Sequence, residues 1–182
     1  ILEFAKNLRL GFSMFVSMGN KADLKDIDFI EYVANQDSTK VISLYQESIE
    51  DARNFMKKAR EITPNKPMVI LKGGKSSAGQ KAASSHTGAL ASSDTATQAM
   101  FDQSGIIRVK TIQELCEVAL AFSTQPLPQN ENVCIITNAG GPGILATDAI
   151  SENNLQMANL NENIIEKLEN LLPEEASVHN PV

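Results

Sequence analysis

The sequence predicts an α/β protein built on a doubly wound parallel sheet. Short continuous apolar runs recur along the chain, segments of helical spacing separate them, and Gly, Pro and Asn punctuate the junctions. A strand covered on both faces has no polar side to show, so continuous rather than alternating apolar runs point to a sheet buried between helical layers.

Ile1, Phe4, Ala5 and Leu8 lie at helical spacing, and Gly11 is expected to cap that helix. Residues 12–18, bounded by Gly11 and by Gly19-Asn20, read as a buried strand. Asp23 is expected to cap a helix running to Ala34, with Leu24, Ile27, Ile30 and Val33 on its apolar side. A strand at 41–45, a helix at 49–62, a break between Pro64 and Pro67, and a strand at 68–71 follow. Residues 72–93 then dissolve into Gly, Ser, Ala, Lys and Thr. A stretch of about twenty residues without periodicity is longer than a compact domain tolerates unless it is functional. Order returns with a helix at 95–104, a strand at 106–110 and a helix at 111–123.

Gln125-Pro126-Leu127-Pro128-Gln129-Asn130 is a linker signal, and it divides the chain into residues 1–125, a linker at 126–131 and a second unit at 132–182. In that second unit the pattern predicts a strand at 133–137, a glycine-rich loop at 138–143, a helix at 144–152, a strand at 155–158 and a helix at 162–171. No solenoid-length repeat is present. The chain opens on Ile1 in mid-helix rather than on Met, and is expected to be a piece of a longer protein.

Composition narrows the function. The 182 residues carry 16 Lys and Arg against 22 Asp and Glu, a formal net charge of -6. An acidic chain argues against nucleic acid held by a basic stripe and against an anionic membrane surface. At 42% hydrophobic and 21% charged it is an ordinary globular composition, and with no Trp and 5% aromatics the core must be aliphatic. Cys116 and Cys134 lie far apart in apolar runs without metal-ligand spacing, so they read as free thiols in a reducing, cytoplasmic setting. No apolar stretch approaches the roughly 20 residues that span a bilayer, and no signal peptide is read at the start.

His86 lies in Lys81-Ala82-Ala83-Ser84-Ser85-His86-Thr87-Gly88-Ala89, and His179 near the end is the one other histidine. Imidazole is a nucleophile toward phosphorus when one ring nitrogen is unprotonated and a carboxylate fixes the other. Glu47, just after the strand at 41–45, is the candidate acid, because ligands of open α/β sheets gather at the carboxyl ends of the strands. Glu47 reads equally well as a first-turn acid of the following helix, a role Ser48 can also play. The turn Asn138-Ala139-Gly140-Gly141-Pro142-Gly143 joins a strand to a helix and would aim backbone N–H groups at an anion, or simply turn tightly. It is neither a Walker loop nor a dinucleotide fingerprint. Gly19-Asn20-Lys21-Ala22-Asp23 is a helix cap or a ligand rim at the same sheet edge. Lys72, Lys75 and Lys81 either attract phosphates or form a solvated face, and Met14, Met18, Met56, Met68 and Met100 read as core filling.

These motifs, taken in order, resemble a family. Phe12-Ser13-Met14-Phe15-Val16-Ser17-Met18-Gly19-Asn20-Lys21-Ala22-Asp23, then Ser84-Ser85-His86-Thr87-Gly88-Ala89-Leu90, then Thr137 with the glycine turn, then Ser177-Val178-His179-Asn180-Pro181-Val182, are similar to segments of NDP-forming acyl-CoA synthetases. Within that family the chain resembles ADP-forming acetyl-CoA synthetases and, more distantly, succinyl-CoA synthetase. The resemblance implies a flavodoxin-like, succinyl-CoA-ligase-type domain followed by the start of a second α/β domain. It implies conversion of acyl-CoA, phosphate and ADP into carboxylate, CoA and ATP through an acyl phosphate and a phosphohistidine. His86 would carry the phosphoryl group and Glu47 would orient it. Ser85, Thr87, Asn138, Gly140, Gly141 and Gly143 would surround the phosphate, and Gly19 and Asn20 would rim the site. CoA and ATP or ADP with magnesium would be held mainly by CoA-binding and ATP-grasp domains or subunits outside this chain, which alone is not expected to turn over. Oligomer formation stays open. Ser48 stands where relatives often have Gly. A rival resemblance is the ligase-like regulatory region of a protein lysine acetyltransferase, but such regions commonly lack the histidine found at 86. A non-catalytic scaffold subunit is a third reading.

Overall fold

The computed structural model describes residues 1–19, 24–74, 76, 79 and 93–182. It divides into two compact units, Ile1–Pro126 and Leu127–Val182.

In the first unit the order is α1 (Leu2–Asn7), α2 (Asp26–Ala34), β1 (Ile42–Gln46), α3 (Ala52–Ile62), β2 (Met68–Lys72), α4 (Asp94–Ser104), β3 (Ile107–Val109) and α5 (Ile112–Thr124). The three strands are parallel in the order β1-β2-β3, with Ile42 opposite Met68, Gln46 opposite Lys72 and Ile70 opposite Arg108. Central β2 is apolar on both faces because both are covered, and Met68, Val69 and Ile70 are fully buried. Ile42, Met68 and Ile70 join Ile27, Ile30, Phe55, Ala59 and Phe101 on the α2–α3–α4 face. Val69, Leu71 and Val109 join Leu115 of α5 on the other.

Local chemistry sets the boundaries. Asp51 accepts from Asn54 N (3.2 Å) and starts α3 three residues later than the periodicity suggests. Thr111 does the same for α5 through Glu114 N at 3.0 Å. Gly105 ends α4 in the left-handed region (φ 66°), where a Cβ would sit 2.9 Å from Thr63 Oγ1.

Four expectations are corrected. Helix α1 stops at Asn7, well before Gly11: Arg9 takes φ 56°, its N–H reaches Lys6 O (3.1 Å) and Leu10 N reaches Ala5 O (2.9 Å), a Schellman closure without glycine. Residues 12–18 form no strand. A strand needs a neighbour's ladder, and among the described residues none pairs with them, while Phe12, Met14, Phe15 and Val16 are all exposed. Helix α2 begins at Asp26 with Lys25 at its N-cap, so Asp23, which lies outside the described residues, is not the cap. The glycine-rich stretch is not a loop throughout, because the next helix already starts at Gly140.

The second unit contains β4 (Asn132–Val133), α6 (Gly140–Glu152), β5 (Gln156–Met157) and α7 (Glu162–Leu171). Its strands are parallel and pair Asn132 with Gln156 and Val133 with Met157. Asn161 caps α7 through Ile164 N at 3.0 Å. No described helix is long and apolar enough to cross a membrane.

Candidate functional site

The carboxyl ends of β1 and β2 gather the polar groups of the first unit. Parallel strands leave their last carbonyls at one edge, and the residues just beyond them face the crevice there. Gly73 N donates to Gln46 O at 2.9 Å, carrying the ladder one step past β2. Glu47 follows β1 directly and is half-buried. Residues two apart along an extended chain project to the same side, so Tyr45 Oη lies 3.4 Å from Glu47 Oε1 and donates to it. Burial, then the charge and hydrogen bond of Glu47, hold the Tyr45 phenol above its ordinary 10.0. Gly73 completes the group: a Cβ there would lie 3.7 Å from both Glu47 Cγ and Tyr45 Oη.

Lys72, last residue of β2, serves this edge in a way its sequence context does not reveal. Its Nζ donates to Glu47 O at 2.5 Å and to Gly73 O at 2.7 Å, tying the residue after β1 to the residue after β2. Burial, then the positive charge of Arg108, push its ammonium below the ordinary 10.5, against the opposing pull of Asp94 and Glu47.

Arg108 is the second feature that pattern reading missed. It sits in β3 on the face of Ile70, its side chain 6% exposed, and its guanidinium meets Asp94 Oδ1 at 2.5 Å and Gln98 Oε1 at 3.1 Å. Its Cζ stands 5.8 Å from the Phe101 ring centroid. Asp94 opens α4, so the pair fixes where the chain rejoins the sheet. An arginine within an otherwise apolar strand facing the core was the available signal. Gln46 Oε1 and Arg108 Nε are buried without a hydrogen-bond partner among the described residues.

His86, Ser85, Thr87 and Asn20 lie outside the described residues, as do Lys75 and Lys81. Gly19 is exposed, with nothing within 4 Å of a Cβ placed on it.

The glycine turn belongs to the second unit. Thr137 Oγ1 lies 3.1 Å from both Ala139 N and Ala139 O, bending the chain into the N-cap of α6. Gly140 and Gly141 occupy the first turn, where backbone N–H groups have no intrahelical acceptor, and a Cβ on either would meet nothing within 4 Å. As leading amides of α6 they stand at the positive end of a helix, a place suited to an anion. Gly143 is different: its Cβ would stand 3.2 Å from Thr137 Cγ2 and 3.7 Å from Pro181 Cβ, so the turn folds against its own flanks. Asn138 is exposed at the turn's outer edge.

Residues 1–122 match the family model described as "Succinyl-CoA ligase like flavodoxin domain". The chain is 49% identical over 173 residues to the acetate–CoA ligase [ADP-forming] II subunit alpha of Pyrococcus furiosus, covering 95% of this chain and 38% of that subunit. It is 44% identical over 182 residues to an acetate–CoA ligase [ADP-forming] of Methanocaldococcus jannaschii, covering 100% of this chain and 26% of that enzyme. Its fold superposes on the dinucleotide forming acetyl-coenzyme A synthetase 1 of Ca. Korarchaeum cryptofilum, solved with phosphate and ADP, with a TM-score of 0.92 and 33% identity over 99% of this chain and 39% of that one. The chain thus spans well under half the length of the relatives it matches. With the family model across the first unit and these identities across nearly the whole chain, the protein belongs to the succinyl-CoA-ligase-like family and carries its flavodoxin-like domain.

Proposed function

We propose that the chain is part of an ADP-forming acyl-CoA ligase that interconverts acyl-CoA, ADP and phosphate with carboxylate, CoA and ATP. The observation that carries this reading is the likeness, along the whole of this chain, to part of the ADP-forming acetate–CoA ligases, joined to a carboxylate at the carboxyl end of β1. Residues 1–125 form the ligase-type domain, 126–131 a linker, and 132–182 the opening of a second α/β domain. The names of the relatives favour this over the acetyltransferase regulatory region.

In the reaction, a phosphate oxygen attacks the acyl carbon, the C–S bond breaks and CoA leaves as thiolate. A nitrogen of His86 then attacks phosphorus, forming N–P while the P–O bond to the acyl group breaks and the carboxylate departs. Transfer to ADP forms the new P–O bond and breaks N–P. Glu47 is the acid that fixes the His86 tautomer, its backbone clamped by Lys72. The first-turn amides of Gly140 and Gly141, with Asn138 and Gly143 shaping the turn, stabilise the doubly charged phosphoryl group, and Ser85 and Thr87 flank it. Gly19 and Asn20 belong to the rim. CoA, the nucleotide and magnesium, which neutralises phosphate charge when bound, are held mainly by partner domains or subunits beyond this chain.

The test uses the full-length protein incubated with radiolabelled ATP and magnesium. Wild type is expected to acquire an acid-labile label and His86→Asn none; a label retained by His86→Asn overturns the assignment.

A further inference from the structure

Strand β4 stops pairing with β5 at Val133, yet the chain must still run extended to Thr137 before the glycine turn begins. One side chain bridges that gap. Asn180 Nδ2 donates to Val133 O (2.8 Å) and to Ala158 O (3.0 Å), and its Oδ1 accepts from Ile135 N (2.9 Å). Both amide hydrogens and the carbonyl are thus engaged with backbone of the two strand ends. Two residues on, Val182 continues the work as a third strand would: Val182 N donates to Ile135 O at 2.9 Å and Thr137 N to Val182 O at 2.8 Å. Between them Pro181 packs toward Gly143. Ser177 Oγ prepares the approach, accepting from His179 N (3.3 Å) and donating to His179 O (2.9 Å), while the residue at 179 stays exposed.

We infer that Asn180 is a positioning residue for the anion-binding amides of Gly140 and Gly141. It acts through the extended segment 133–137, whose last residue, Thr137, bends the chain into Ala139 and touches Gly143. This rests on the reading of the glycine turn as a phosphate cradle. Truncating Asn180 leaves Ala158 O and Ile135 N without that partner, whereas Val133 O keeps Ala158 N at 2.9 Å, so the damage falls on the segment leading to the turn. Asn180→Asp is worse than Asn180→Ala, because it removes both donors and sets a carboxylate against two carbonyls.

The experiment measures steady-state kinetics of the full-length enzyme in the ATP-forming direction, varying phosphate and ADP separately. Displacing a binding group by about an ångström costs on the order of tenfold to a hundredfold, so Asn180→Ala is expected to raise the KM for phosphate about tenfold or more, Asn180→Asp further, with the KM for ADP unchanged. Gly140→Pro is the companion variant. Proline suits the first helical position and Ala139 is already extended, so it deletes one amide hydrogen without breaking α6. If Gly140→Pro leaves the phosphate KM unchanged, the cradle reading fails and this inference with it. If Gly140→Pro raises it while both Asn180 variants do not, or if they raise both KM values equally, the positioning role alone is overturned. Should the Asn180 variants not fold, Thr137→Val, which keeps the branch and loses the hydroxyl, must raise the phosphate KM; no change there overturns the relay.

Discussion

Replacing Lys72 with Met tests whether the ammonium earns its place at the sheet edge by holding two carbonyls. Met keeps an apolar stem of similar length and removes both donated bonds, to Glu47 O and Gly73 O. A hydrogen bond to a charged group contributes about 1.5–3 kcal/mol when buried, but this ammonium is only half-buried and already costs desolvation, so the expected loss is about 1–2 kcal/mol. For a domain of this size that lowers Tm by roughly 3–8 °C. The protein reports on itself here, because it has no Trp and its two tyrosines, Tyr32 and Tyr45, both lie in the first unit, so tyrosine emission of the 182-residue chain follows that unit's unfolding. The pH dependence sharpens the test. Burial and Arg108 hold the folded ammonium below 10.5, so the unfolded state binds more protons in the window beneath that value and the stability from this group rises with pH across it. The gap between wild type and Lys72→Met should therefore widen as pH rises toward 10.5. A gap that narrows would mean that the two carbonyls outweigh burial and Arg108, and would refute the reasoning.

The same edge offers two further checks. In a near-ultraviolet absorbance titration, Glu47→Gln should move the Tyr45 step down toward 10.0 while burial still holds it above; an unmoved step would deny the contact between them. The Arg108–Asp94 pair predicts an order of costs: Asp94→Ala strands a guanidinium in a side chain 6% exposed and should cost about 2–4 kcal/mol by urea unfolding, more than Arg108→Met, which leaves an aspartate that water can reach. The reverse order would show that the arginine contributes by packing rather than as half of a pair.

What could be read from the sequence follows the range of the interactions. The apolar run of β2 and the left-handed Gly105 are local signals, and both stand where pattern places a strand and a helix end. Arg9 closing α1 escapes such reading because its residue type does not announce a positive φ. The run from Phe12 to Met18 has the composition of a strand, but composition cannot supply the neighbour that a ladder requires. Gly140 and Gly141 look like loop residues by propensity, and the unpaired amides of a first turn cost the helix nothing extra there. Asn180 is the extreme case: its partners lie 22 to 47 residues away, so nothing near it in the sequence signals its part in the turn.

At Glu47 the backbone and the side chain are held by different partners. Its backbone carbonyl is held at 2.5 Å by Lys72, whereas the one contact to its carboxylate among the described residues is the long 3.4 Å approach of Tyr45 Oη. A carboxylate serving only as a structural acid would be expected to spend its oxygens on its own fold, as Asp51 and Glu114 do at the starts of α3 and α5. Here the fold spends the backbone instead and leaves acceptor capacity on the side chain. The net charge of -6 has no bearing on this, since the local field is set by Lys72, Arg108, Asp94 and Glu47 within one sheet edge. A fixed backbone with a lightly used carboxylate is the arrangement an imidazole-orienting acid needs, because the imidazole must find its partner oriented yet unoccupied.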